Sequence, residues 1–118
     1  MAKAQGFPRD ERVRRKKDFD RVFQEGQRRR GRLLSVGYVG NGLAHARLGI
    51  ALGRGWKGAV ARNRAKRLVR EAFRTHKEAI PRGIDLVVVP ATNWEEPSVE
   101  EIAGELIRLL RAAAGGPP

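Results

Sequence analysis

The run Gly58–Arg74, GAVARNRAKRLVREAFR, restricts the fold more than any other part of the chain. Read at about 100° per residue, it separates into two faces of one helix. Ala61, Ala65, Leu68, Val69, Ala72 and Phe73 fall in one apolar arc, with Asn63, Lys66, Arg67, Arg70, Arg74 and Lys77 in the opposite one. The apolar arc needs a layer to bury it. The basic arc is offset only by Glu71. Solvated helices usually mix signs at i, i+4 spacing, where the pairs help them. A face this one-sided repels itself unless an anion lies against it. Arg62 belongs to neither face; from the first turn it can reach past the helix end. Lys57 and Gly58, just before the helix, leave its first N–H groups open to a phosphate.

Charge elsewhere points the same way. Formal net charge is +12, and it is unevenly spread: residues 1–82 hold 23 Lys/Arg against 7 Asp/Glu, residues 83–118 hold 2 against 6. Nucleic acid is the default partner of such a chain. A membrane surface is the weaker alternative, because the basic helix has no Trp- and Leu-rich insertion face beyond what a core uses. The 118 residues suffice for a single domain with one core. There is no membrane-spanning apolar run or signal-like segment. The absence of cysteine excludes disulfides and thiolate metal sites. A cytoplasmic location is expected.

The remaining elements follow from periodicity and punctuation. Residues 1–16 read as an irregular basic arm that Phe7 and Val13 could pin down. Lys17–Glu25 reads as a short helix with Asp18 as a possible N-cap, Gly26 as its terminal glycine, and Phe19, Val22 and Phe23 in one stripe. Gln27–Arg32 reads as a basic loop. Leu33–Val39 alternates as a strand, with Leu34, Val36 and Tyr38 on one side and Ser35, Gly37 and Val39 on the other. Gly40-Asn41-Gly42 is a hairpin signal, returning the chain as a second strand, His45–Leu52. Gly53–Gly58 is a flexible basic loop holding Arg54, Trp56 and Lys57. Ile84–Val89 is apolar apart from Asp85, as in a strand covered on both faces. Pro97-Ser98-x-x-Glu101 reads as a capping box opening a final helix with Val99, Ile102, Ala103, Leu106, Leu109, Leu110 and Ala113 as its stripe. Residues 114–118 form a tail. This order predicts an α+β, two-layer α/β sandwich.

Ala59-Val60-x-Arg62-Asn63-Arg64-x-Lys66-Arg67-x-x-Arg70-Glu71 closely resembles the arginine–asparagine–arginine signature of the bacterial ribonuclease P protein subunit. Asp18-Phe19-x-x-Val22-Phe23-x-x-Gly26, Arg47-Leu48-Gly49-Ile50 and Gly83-x-Asp85 extend the resemblance from Arg12 to about Leu110. It implies a fold like the second domain of ribosomal protein S5, with a further short strand and a left-handed βαβ crossover through the central helix. Sequence rules alone favour a right-handed one. It also implies a division of labour. A catalytic RNA with bound Mg²⁺ hydrolyses precursor tRNA, while a monomeric protein subunit binds that RNA, holds the single-stranded 5′ leader and helps position metal ions. The RNA-binding set is then Arg54, Lys57, Arg62, Asn63, Arg64, Lys66, Arg67, Arg70 and Arg74.

Phe19 and Phe23 have two readings. Aromatics at i, i+4 are commonly core; beside a basic groove they hold single strands without sequence preference. The resemblance favours the second reading, with Ser35 and Gly37 completing the leader cleft. Gly37 stands where the family often adds an aromatic. Arg54-Gly55 replaces two adjacent basic residues, and Ala91 replaces a basic residue after the last strand. Trp56 either stacks on a base or wedges its loop onto the body. His45 and His76 are the only histidines, His76 reading as packed or half-buried. The acidic pairs Glu95/Glu96 and Glu100/Glu101 have no base or nucleophile at hand, so no catalytic residue is assigned to the protein. A general RNA-binding protein of ribosomal type is the second reading, a self-sufficient nuclease the third.

Overall fold

The structure is a computed structural model that describes residues 11–92 and 94–114. Phe7 and the tail after Ala114 lie outside them. Helix α1 spans Lys16–Glu25 and is followed by strands β1 (Gln27–Arg30), β2 (Leu34–Gly40) and β3 (Arg47–Ile50). Helix α2 (Ala59–Thr75), a 3-10 turn at Lys77–Ala79, strand β4 (Ile84–Pro90) and helix α3 (Val99–Ala114) complete the chain. The four strands lie in the order β1-β2-β4-β3. β4 runs parallel to β3, with Leu48 beside Leu86, and antiparallel to β2, with Val36 beside Val88. The expected parallel pairing across α2 is therefore present.

Alternation along the strands divides the sheet into two faces. Leu34, Val36, Leu48, Leu86 and Val88 meet Val69, Ala72 and Phe73 of α2 and Ile102, Leu106 and Leu110 of α3 in one core. This is the two-layer sandwich. α1 lies across part of the opposite face, where a Cβ at Gly37 would stand 3.1 Å from Val22 and one at Gly49 2.8 Å from Phe19. Val22 is the only fully buried side chain of α1.

Several local expectations change. Residues 27–30 are not a loop but the edge strand β1, paired antiparallel with β2. An edge strand exposed on one side has no apolar alternation to betray it. The glycine-rich turn after β2 does not close a hairpin, because β4 lies between β2 and β3. Asn41 explains the wider path: its N–H donates to Gly83 O (2.9 Å) and its side-chain amide to Asp85 Oδ1 (3.0 Å) and His45 O (3.2 Å), fastening the turn to β4. β3 is shorter than expected, although Ala51 N–H still donates to Val88 O (3.0 Å). The N-cap of α1 is Arg15, with Asp18 inside the first turn. Ala61, in the first turn of α2, is exposed and does not join the apolar face that α2 buries. The capping box is present in both directions: Ser98 N–H donates to Glu101 Oε1 (2.8 Å) and Glu101 N–H to Ser98 Oγ (3.1 Å).

Candidate nucleic-acid interface

The half-covered face of the sheet is held by polar contacts where the other face uses apolar ones. Asp85, fully buried, accepts from Arg47 Nε (2.7 Å) and Nη2 (2.6 Å) as well as from Asn41. Arg47 also lies 3.9 Å from Asp18 of α1, and Arg21 donates to Gly40 O (2.7 Å). Burial alone would raise the Asp85 carboxyl pKa; the hydrogen bonds from Arg47 and Asn41 and the charges of Arg47 and Arg21 outweigh it and leave the pKa below its ordinary value. This network clamps one end of α1 to the sheet.

On either side of α1 the sheet remains open. Toward β1, Phe23 stands over a hollow of about 270 Å³ floored by Ser35, Gly37 and Val89 and bordered by β1 along residues 28–30. Toward α2, Phe19 lines a second hollow of about 160 Å³ with Gly49 and Ile50, ringed by Arg12, Arg14, Lys66 and Arg70. Both phenylalanines are half-buried. The four expected cleft residues thus share one face, but Phe23, Ser35 and Gly37 line one hollow and Phe19 the other. The arm is pinned beside Phe19 as Val13 N–H donates to Leu48 O (2.9 Å) and Val13 is buried.

The second hollow brings four basic side chains from two segments together. Burial, and then the like charge of Arg12, pull the Arg70 pKa below its ordinary value, although it stays protonated. Such crowding favours a bound anion.

The basic residues expected to act together do not all face one way. Lys66 and Arg70 border the Phe19 hollow, while Asn63 and Arg67 are exposed on the crest of α2. Arg74 pairs with Glu71 (2.6 Å), whose hydrogen bonding holds the Arg74 pKa up and the Glu71 pKa down. Arg64 turns toward Glu96 (2.6 Å). Arg62 reaches back past the helix end and donates to Trp56 O (3.0 Å) and Gly53 O (3.4 Å). Arg54 and Lys57 are exposed in that loop. Gly58 caps α2 with φ of 85° and no side-chain acceptor, so the first turn keeps open donors.

Trp56 wedges the loop. Its indole N–H donates to Pro90 O (3.3 Å), and its ring meets Trp94 edge-on with centroids 5.4 Å apart. The histidines offer no general base over either hollow: His76 caps α2 with Nδ1 2.9 Å from Thr75 Oγ1, and His45 lies in the turn before β3. Among the described residues, no three His, Asp or Glu side chains gather as metal ligands.

Sequence reasoning passed over Arg12, Arg14 and the β1 arginines. The signal available for the latter was a run of three consecutive arginines shortly before a predicted strand.

Comparison with known proteins decides the affiliation. The family model described as Ribonuclease P matches residues 7–114. The chain belongs to the ribonuclease P protein family. It is 36% identical to the ribonuclease P protein component of Thermotoga petrophila over 115 residues, covering 94% of this chain and 98% of the relative. That of Pelotomaculum thermopropionicum is 33% identical over 101 residues, with 86% and 90% covered. Among solved structures, the ribonuclease P protein of Thermotoga maritima superposes with a TM-score of 0.78 at 36% identity, covering 86% of this chain and 96% of that one. That of Staphylococcus aureus gives 0.75 at 30% identity, with 87% and 94% covered. Membership of the ribonuclease P family makes the chain a protein component in tRNA processing, working with an RNA subunit of an endoribonuclease.

Proposed function

We propose that this subunit binds the catalytic RNA through the basic side of α2 and the loop before it, and holds the single-stranded 5′ leader of precursor tRNA in the hollows beside α1. Arg54, Lys57, Arg62, Asn63, Arg64, Lys66, Arg67, Arg70 and Arg74 form the RNA-binding set. Phe19, Phe23, Ser35 and Gly37 form the leader site. Hydrolysis belongs to the RNA, with Mg²⁺ held mainly by RNA phosphates. The protein's share is orientation of the substrate and screening of phosphate charge. It acts as a monomer within the holoenzyme, in the cytoplasm.

The observation that carries this reading is the half-open sheet face. Two half-exposed aromatic rings stand there over glycine and serine, between flanks of arginine and lysine. Aromatic platforms beside positive charge hold single strands.

Cleavage of precursor tRNA at low magnesium tests it, with protein alone, RNA alone and both together. Only the combination should cleave efficiently, and its advantage should shrink for substrates with the leader removed down to one nucleotide. Cleavage by the protein alone would make it a nuclease; an advantage independent of leader length would reduce it to a general RNA binder.

A further inference from the structure

We propose that Arg28 and Arg30 of β1 form the second wall of the Phe23 hollow, Arg28 as a planar stacking partner for one unpaired base and Arg30 for the adjoining phosphate. This rests on the reading of that hollow as a leader site. In the β1–β2 register Arg28 lies opposite Gly37 and Arg30 opposite Ser35, while Arg29 lies opposite Val36. Alternation therefore sends Arg28 and Arg30 to the face covered by α1 and sends Arg29 to the other. Arg28 is exposed, yet its side chain folds back over the end of α1. Its guanidinium carbon lies 5.5 Å from the centroid of Phe23, and Nη2 donates to Phe23 O (3.0 Å) at the end of α1.

Gly37 leaves the floor low, and a Cβ there would stand 3.1 Å from Val22. That part of the floor thus offers no side chain to stack on. Arg28, reaching in from the neighbouring strand, offers a flat face and a fork of donors in its place. Guanidinium planes stack on RNA bases as aromatic rings do. A row of arginines on an edge strand also discourages strand addition by another molecule. That role needs charge only. It requires neither the approach to Phe23 nor the planar group that lysine lacks.

The test uses holoenzyme reconstituted with a ribonuclease P RNA, and measures affinity for precursor tRNA and for mature tRNA. The variants are Phe23→Ala, Arg28→Ala, Arg28→Lys and the pair Phe23→Ala with Arg28→Ala. Phe23→Ala and Arg28→Ala should each weaken precursor binding by about 5- to 100-fold, with mature tRNA unaffected. Arg28→Lys should recover little of the loss. The double variant should lose less than the two single losses combined, because both groups hold one base. Wild-type precursor binding by Arg28→Lys, with Phe23→Ala still defective, would overturn the stacking role and leave the leader reading standing. Unchanged binding in Phe23→Ala would remove the leader reading and this proposal with it.

Discussion

The two faces of the sheet are built on opposite principles. The face under α2 and α3 is closed by interlocking aliphatic and aromatic side chains, with Phe73, Leu86, Leu106 and Leu110 almost wholly out of water. The face under α1 buries Val22, fastens one end with Asp85 and Arg47, and leaves two hollows open. Most of the apolar burial lies on one side, so the other can remain partly unfilled. A binding groove for a flexible strand needs apolar surface that the protein itself does not cover, and only a second, sealed face makes that tolerable in a chain this short. Substitutions on the two faces should therefore separate folding from binding.

The largest effect is expected at Phe73. Truncation to alanine empties the middle of the sealed face, which costs about 3–5 kcal/mol and should lower the thermal midpoint by more than about 10 °C. Calorimetry or circular dichroism reads it. A small shift would mean the sealed face can collapse around the gap, and the contrast between the faces would weaken.

Asp85 comes next, as the polar counterpart of that core. Asp85→Ala strips Arg47 of its main partner, and breaking a buried pair costs on the order of 3 kcal/mol. The same group predicts a pH dependence. Its folded pKa lies below the ordinary value, so the native state binds fewer protons than the unfolded one in acid. The contribution is fully present above the unfolded pKa of about 3.9 and is lost as pH falls through the folded value. Stability of the wild type should therefore fall more steeply below about pH 4 than that of Asp85→Ala. Parallel curves for the two proteins would show that the carboxylate does not hold α1 down.

How much of this contrast could be read beforehand depended on whether a signal was local. The two-faced α2 and the Ser98–Glu101 box repeat within one helical turn, and the sequence displays both. β1 escaped because Arg28, Arg29 and Arg30 form a strand only through β2's hydrogen bonds. The turn at Gly40–Gly42 carries hairpin chemistry, yet the partner that β2 takes, β4, begins more than forty residues later. Glu105 shows the same limit: nothing in helix α3 reveals that its carboxylate accepts the N–H groups of Leu33 (2.6 Å) and Leu34 (3.0 Å). At the candidate site, the composition of the RNA-facing helix was legible, but the diversion of Arg62 and Arg64 to protein partners was not.

Phe19 sharpens the comparison further. It is half-buried, where Phe73 is buried, and it rests on Gly49 at the rim of the open face. Phe19→Ala should cost roughly 1 kcal/mol of stability, a fraction of what full burial of a phenylalanine is worth. In the holoenzyme it should weaken precursor tRNA by about 1–3 kcal/mol and leave mature tRNA unchanged. If its thermal midpoint fell as far as that of Phe73→Ala, the ring would be core, and the open face smaller than its hollows suggest.

The smallest expected effect distinguishes residues within α2. Arg67 is exposed on the crest, and no ion pair engages it among the described residues. Arg74 is held by Glu71 at 2.6 Å and must give up that pair to meet a phosphate. A lost phosphate contact reduces the slope of log affinity against log salt by about 0.7 to 0.9. Arg67→Gln should show that reduction in binding to the ribonuclease P RNA, whereas Arg74→Gln should show less, because its charge is already partly neutralised. Glu71→Gln then provides the converse, releasing Arg74 and steepening the slope. Equal slopes for Arg67→Gln and wild type would mean that the crest is solvated in the complex, and the contact would then run along Lys66 and Arg70 on the flank that borders the open face.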